Sequence, residues 1–541
     1  MSVIPSIDGK RVYSQLSGFK QKHPNLKDMQ WDVVVIGSGM AGMSAAAALS
    51  KYKRKVLVLE KHYLPGGYTH MFSRKGADWD VGTHAVGDMH EGGKSRKQLD
   101  WLTGGKLKMS SIGEMYDEFY YPDNFKISFS SSLSKYREIL YRKFPDEKKV
   151  IDNYIKYCLK AAKQAIPYFA FKTLPKTPGV ALDKIWRTLT RDWWSKTTDE
   201  VLNELGASFR LRNVLTGQWG YYGSNPQNSS FGVQALIFNH FSHGAYYPEN
   251  GSKQFASFLL SEVIRSGGEC VCKAPVVRLI IRNKRCCGVV LEDGTEIFGK
   301  KVISAIASKN TVKDLMPGKY QKSKWGKSIL SLQQSPGYLC LNLIFQGDIS
   351  QHGASSRNIW IMNEWGEGRD SLWDFTNSKT DPGTLFISFP SLKDPLYSPG
   401  EKQVHTGEVI VFVDWEQFEK WKDTRFNERP RDYEDLKKQI ENSLLQLMEK
   451  HFPGLMKLKT YHELSTPLTA SHFVSAFDGS TYGLASTPER YNNPNLRVRT
   501  PVKNLYMSGV DIVTSGISGA RSSGLLAAAT IDPRIFRILR K

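Results

Sequence analysis

A short β-branched run, Trp31 to Ile36, passes without a spacer into Gly37-Ser38-Gly39-Met40-Ala41-Gly42 and then into the alanine-rich stretch Ser44 to Leu49. This junction constrains the chain more than any other. An apolar run bounded by glycine reads as a buried parallel strand. The first glycine allows the tight turn, the second lets backbone approach a diphosphate, and the third lets the next helix pack close to the sheet. A helix beginning there points its free amides and positive dipole end at an anion. A second apolar run, Val56 to Leu59, ends in Glu60, 18 residues beyond Gly42. An acid at that place suits the hydroxyls of an adenosine ribose and repels a 2′-phosphate. Strand, glycine turn, helix, strand and acid in this order predict a Rossmann-type α/β unit holding a dinucleotide.

The next segment distinguishes flavin from nicotinamide. Glu60 is followed by Lys61-His62-Tyr63-Leu64-Pro65-Gly66-Gly67-Tyr68, and later by Asp80-Val81-Gly82-Thr83-His84. Gly66-Gly67 suits backbone passing tightly over a diphosphate, a second pair for which a nicotinamide dehydrogenase has no need. FAD is therefore the expected cofactor.

These motifs together, V-L-E-K-x-x-x-x-G-G and D-V-G-T-H, resemble the flavoproteins that include phytoene desaturases, carotenoid isomerases and retinol saturases. The Thr-His pair is nearest the retinol saturase branch, and amine oxidases and Rab GDP-dissociation inhibitors are more distant relatives. The resemblance implies an α/β fold: a Rossmann-like FAD domain of amine-oxidase-like type with an inserted mixed α+β substrate domain. The FAD domain is expected to be discontinuous (30–105, 245–315 and 479–531). The substrate and membrane-facing domain would take 106–244 and 316–478, and 532–541 a basic C-terminal segment. The resemblance also places Val276 against the adenine, and Gly509 and Asp511 beside the diphosphate and ribityl chain. Gly516, Ile517, Gly519 and Ala520 would open a helix facing the flavin. A helix N-terminus there stabilises the negative charge of a reduced flavin. Lys61, Tyr68, Gly82, Thr83 and His84 complete the expected cofactor contacts.

Lys and Arg number 74 against 53 Asp and Glu, a formal charge of +21. Such an excess favours an anionic partner. Nucleic acid is not expected, since no RNP, zinc-finger or helix-turn-helix pattern occurs, so a phospholipid surface is the better reading. Met1 to Gln30 lacks the apolar run of a signal peptide, and no stretch of about 18 apolar residues suggests a membrane span. The expectation is a cytoplasmic protein associated peripherally with membranes. Two segments are candidates for contact. Trp186, Trp193 and Trp194 stand at i, i+7 and i+8 among Lys184, Arg187, Arg191 and Lys196, and Pro533 to Lys541 interleaves cations with Ile and Phe. The cysteines Cys270, Cys272, Cys286 and Cys287 do not have zinc-ribbon spacing and read as reduced thiols.

The expected chemistry is saturation, desaturation or isomerisation of a C=C bond in a polyene or other lipid, with reduction favoured. His84 is the candidate proton donor, with Tyr246, Tyr247 and His240 in reserve. Two rival readings are an amine-oxidase-like flavin oxidase and a non-catalytic lipid-binding chaperone on the same fold.

Overall fold

The computed structural model describes residues 26, 29–376 and 381–540. The strand Trp31–Ile36 is buried at every position except Asp32. It pairs in parallel with Val56–Leu59 on one side and with the C-terminal half of Glu296–Ser304 on the other. Glu269–Val271 and Leu505–Met507 extend this parallel core outward. The N-terminal half of Glu296–Ser304 runs antiparallel to Arg285–Leu291, which in turn pairs with Val276–Arg282. Three stretches far apart in the chain thus build one seven-stranded sheet.

Two small-residue helices pack against that sheet. Met40–Ser50 is buried along its whole length, which its alanines permit. Gly516–Ile531 crosses it so closely that a Cβ on Gly524 would lie 2.2 Å from the Ala41 carbonyl oxygen.

A second seven-stranded sheet runs in the order 459–465, 337–346, 404–413, 384–388, 358–362, 115–120, 126–130. Its pairs are antiparallel except Asn358–Met362 with Met115–Tyr120. Val404–Val413 is an inner strand, almost wholly buried. Arg431–His451 lies over this sheet with Tyr433, Ile440, Leu444 and Leu447 turned inward, the spacing of a helix with one apolar face. A three-stranded ribbon of Val86–Gly87, Ala245–Pro248 and Met109–Ser111 lies at the junction of the two halves.

Neither sequence candidate for membrane contact holds as drawn. The helix Lys176–Leu189 stops before Arg191, so Trp186 shares no helical face with Trp193 and Trp194. Thr190 leaves the helix in an extended conformation, and the Asp192 carboxylate then accepts from the backbone amides of Trp194 at 3.0 Å and Ser195 at 3.2 Å, a local turn in place of helix. Trp193 and Trp194 are 2% and 3% exposed. The first donates its indole N–H to Gln164 at 2.7 Å, and the second stacks on Tyr168 at 4.8 Å. At the C-terminus, Ile535 and Ile538 are buried in the main core, and Asp532 pairs with Arg54 and Arg534. The apolar residues of that segment face the protein.

Candidate active site

The turn after the first strand is held from three sides. Ser38 is fully buried; its amide and hydroxyl donate to one Glu60 oxygen at 2.9 and 2.6 Å. The other Glu60 oxygen accepts from the His62 amide at 2.8 Å. The Gly66 amide donates to Ser38 Oγ at 3.1 Å, and Gly39 bridges Gly66 as a parallel backbone pair. The two glycine motifs of the sequence therefore form one surface. Gly37 has φ +91°, and a Cβ there would press Ile306 at 2.9 Å; a Cβ on Gly67 would lie 3.0 Å from Gly39 Cα.

Above this surface opens a cavity of about 550 Å³. Gly37, Gly39, Met40 and Ala41 line it from the first motif, and Glu60, Lys61, Gly66, Gly67 and Tyr68 from the second. Gly82, His84 and Val276 line it from the strap and the meander. The last segment supplies Gly509, Asp511, Gly516, Ile517 and Ala520. Four expected residues lie behind the lining. Ser38 supports Glu60, while Gly42 and Gly519 are packed on the carbonyls of Gly37 and Thr514. Thr83 is buried outright.

Asp511 is a brace as well as part of the wall. One oxygen accepts from the amide and hydroxyl of Ser308, both at 2.7 Å, and the other from the Leu484 amide at 2.9 Å. It therefore ties three loops of the dinucleotide half together.

The donor set fits a dinucleotide. Helices Met40–Ser50 and Gly516–Ile531 both begin at the cavity with no side chain capping their first amides. Those amides are left for an anion. Among the described residues, Ser515 and Ser518 Oγ are buried without a hydrogen-bond partner at the start of the second helix. The open glycine surface between them gives backbone the room to approach a diphosphate.

The cavity continues between the sheets, where its wall is Gly220, Tyr221, Tyr338, Trp360, Phe386 and Phe412, with Tyr482 opposite. Gly220 and Tyr221 lie in Trp219-Gly220-Tyr221-Tyr222-Gly223, a segment that resembles the retinol saturase branch; the other wall residues carry no motif, and the aromatic content of the segments around them is their mark in the sequence. His84 stands at this end: its Nδ1 is 3.0 Å from the Glu408 carboxylate, and its ring meets Phe386 edge-on at 5.2 Å. Its carbonyl accepts from Lys393 Nζ at 2.9 Å. Burial pushes the Lys393 ammonium down to about 8. Tyr221 donates to the buried Asp117 at 2.7 Å, and burial raises that carboxyl above its ordinary range. The reserve donors do not reach the cavity. His240 accepts from the Gly87 amide at 2.7 Å, its imidazole driven down to about 4 by burial. Tyr247 donates to buried Asp80, and Tyr246 lies on the neighbouring ribbon position.

Fold and site define a Rossmann-type oxidoreductase that binds an extended dinucleotide beneath an aromatic chamber. Residues 35–100 match the NAD(P)-binding Rossmann-like domain, and residues 191–532 match the flavin-containing amine oxidoreductases. The chain belongs to this flavin-containing amine oxidoreductase family; it is a flavin-dependent oxidoreductase, and its cofactor is FAD. It is 30% identical to the all-trans-retinol 13,14-reductase of Danio rerio, over 92% of this chain and 86% of the relative. It is 24% identical to the chloroplastic prolycopene isomerase of Arabidopsis thaliana, over 98% and 85%. A putrescine oxidase structure shares the fold, with a TM-score of 0.62 at 16% identity over 94% of this chain and all of that one.

Proposed function

We propose that the protein transfers hydrogen to, from or along a carbon–carbon double bond of an apolar polyene or related lipid, saturation being the favoured direction. The observation that carries this is the chemistry of the chamber: aromatic and aliphatic side chains around one imidazole. Among the described residues, the acids that line the cavity, Glu60, Asp314 and Asp511, all belong to the dinucleotide half. A long apolar molecule loses little on leaving lipid for such a wall. The similarity to a retinol reductase and a prolycopene isomerase supports the same substrate class.

FAD, when bound, supplies or accepts the hydride. Gly37, Gly39, Gly66, Gly67 and the two uncapped helix starts would hold its diphosphate, Glu60 its ribose, and Gly516 to Ala520 its ring. The chain's remaining task is to align the polyene, exclude water, and hold a proton at His84. Anaerobic mixing of the reduced holoenzyme with all-trans-retinol and with carotenoids tests the reading. Expected is reoxidation of the flavin with a product richer by two hydrogens. Oxidation of amines, with no change in any polyene double bond, would overturn it.

A substrate of this kind comes from a bilayer. Among the described residues no helix is long and apolar enough to cross one, so the association we infer is peripheral, on the cytoplasmic side. The helix Lys176–Leu189 supports it. Leu182, Ile185 and Leu189 are 40%, 54% and 76% exposed along one face, beside exposed Lys176 and Lys184. Leu159 and Ile166, also exposed, lie on the preceding helix Lys148–Phe171 with Lys156, Lys160 and Lys163. Apolar side chains within a basic field suit an anionic lipid surface.

A further inference from the structure

Glu408 is a carboxylate placed where carboxylates are costly. It sits in the middle of the inner strand Val404–Val413 with 0% of its side chain exposed. Among the described residues neither oxygen accepts a hydrogen bond and His84 Nδ1, 3.0 Å from Oε2, makes none, so the two form a close ionisable pair without hydrogen-bond alignment; Tyr338, Tyr247 and Cys340 also lie within the reach of its charge. A bare buried carboxylate persists only where a cation balances it. Two groups able to carry positive charge are in range, the His84 ring and the Lys393 ammonium, whose charge Glu408 helps to retain. Both act on the same residue. Glu408 faces the ring of His84, and Lys393 holds its backbone carbonyl. Lys393 is itself fixed by Ser388 Oγ at 2.7 Å and by Asn358, which donates to Asp117 at 2.9 Å. His84 belongs to the strap following the hairpin Met71–Arg74/Ala77–Asp80, while Glu408 and Lys393 belong to the second sheet and its loop. The imidazole is clamped at the junction of the dinucleotide half and the chamber.

We propose that Glu408 is a positioning residue for proton delivery: it accepts a hydrogen bond from Nδ1–H of His84 when the ring is protonated, turns Nε2 toward the chamber and stabilises the imidazolium. Lys393 fixes the backbone from which the ring projects. This rests on the reading of the reaction given above. In saturation, the His84 Nε2–H bond breaks with its electron pair staying on nitrogen. A C–H bond forms at one alkene carbon from the π pair. The adjacent carbon takes a hydride, supplied by FAD that an external two-electron donor has reduced, and the neutral ring regains its proton from water. An acid of this kind contributes on the order of 10²–10⁴-fold to a rate. The other titratable groups packed around the pair are Asp80, hydrogen-bonded by Tyr247, Asp117, hydrogen-bonded by Tyr221, and the buried Tyr338 and Cys340 of the neighbouring strand, which burial and then nearby charge hold in their neutral forms. Burial, then the Glu408 charge, raises the Asp80 carboxyl to about 6.

The test uses the FAD-loaded full chain, its His84→Gln and Glu408→Gln variants, and two measurements. The first is independent of substrate: imidazole-selective ¹⁵N-edited NMR of histidine-labelled protein. An exchange-protected Nδ1–H resonance is expected in the wild type, absent in His84→Gln and displaced or lost in Glu408→Gln. The second is single-turnover reoxidation of the dithionite-reduced enzyme by all-trans-retinol across pH 6–10. His84→Gln is expected to slow it on the order of 10²–10⁴-fold. Glu408→Gln should move the pH at which the rate falls on the alkaline side down by roughly 1–3 units, with flavin content and melting temperature retained. A wild-type spectrum without the protected proton overturns the clamp, whether or not retinol reacts. So does a Glu408→Gln profile that overlays the wild type. Failure of the wild type to reduce any polyene, with the protected proton present, counts against the substrate reading and leaves the dyad standing.

Discussion

Gly39 separates holding FAD from holding the fold. Its backbone, φ −62° and ψ 173°, is open to any L-residue, and a Cβ built on it meets no protein atom within 4 Å. The methyl of Gly39→Ala would instead project into the cavity that Gly39 lines. For the empty protein two small effects oppose each other. Alanine is a poorer helix cap than glycine by up to about 1 kcal/mol, and it lowers the entropy of the unfolded chain by about 0.4–1 kcal/mol. The melting temperature of FAD-free Gly39→Ala should therefore stay within about 2 °C of the wild type. Once the diphosphate occupies the space, the same methyl overpacks the contact, a cost of roughly 1–3 kcal/mol. At 1.4 kcal/mol per decade this is a roughly 5- to 150-fold weaker Kd for FAD, and Gly39→Val should exceed it. Calorimetric titration of stripped protein with FAD, alongside thermal melts, measures both quantities. Gly42→Ala is the contrast, because its Cβ would lie 2.0 Å from the Gly37 carbonyl oxygen and the turn itself must break. Wild-type FAD affinity in Gly39→Val, or a Gly39→Ala apoprotein as damaged as Gly42→Ala, would refute the assignment of this surface to the cofactor.

Lys393 gives a pH signature. Burial brings its ammonium to about 8, against about 10.4 in an unfolded chain. Between these values the unfolded state binds more protons, so native stability rises with pH there and is lowest below 8. Urea titrations should show wild type gaining up to about 3 kcal/mol relative to Lys393→Met between pH 7.5 and 10.5. Replacing Ile185 and Leu189 together by aspartate should weaken cosedimentation with phosphatidylserine-containing vesicles by about 2–4 kcal/mol, with the melting temperature unchanged. Trp194→Ala should do the reverse, costing about 3–5 kcal/mol of stability as a large-to-small core change while vesicle binding by the folded fraction persists.

The dinucleotide half was legible because its physics is local. A diphosphate needs bare backbone and free amides, only glycine turns at strand ends provide both, and glycine leaves a visible mark in sequence. Gly37, Gly39, Gly66, Gly67, Gly509 and Gly516 could be found one by one, and the sheet that unites them follows from the strands leading into each. Resemblance to a known family supplied the pairing of the C-terminal segment with the first motif. Residue periodicity contains no such long-range information.

The chamber was illegible for the complementary reason. Glu408 reads in sequence as one acid in an apolar strand, and its meaning depends on a histidine 324 positions earlier and a lysine 15 positions before it. Nothing local announces that these three meet, because an apolar wall is built from the same residue types as a core. The tryptophan segment failed in a related way. Spacing at i, i+7 and i+8 is evidence for a helical face only if the helix continues, and it stops at an extended Thr190, after which the Asp192 carboxylate holds a turn through the amides of Trp194 and Ser195. Beyond the break two indoles enter the core, while Leu182, Ile185 and Leu189 stay exposed on the helix before it. The break at Thr190 thus separates the buried indoles from the exposed face of Leu182, Ile185 and Leu189, and residue spacing alone does not show it.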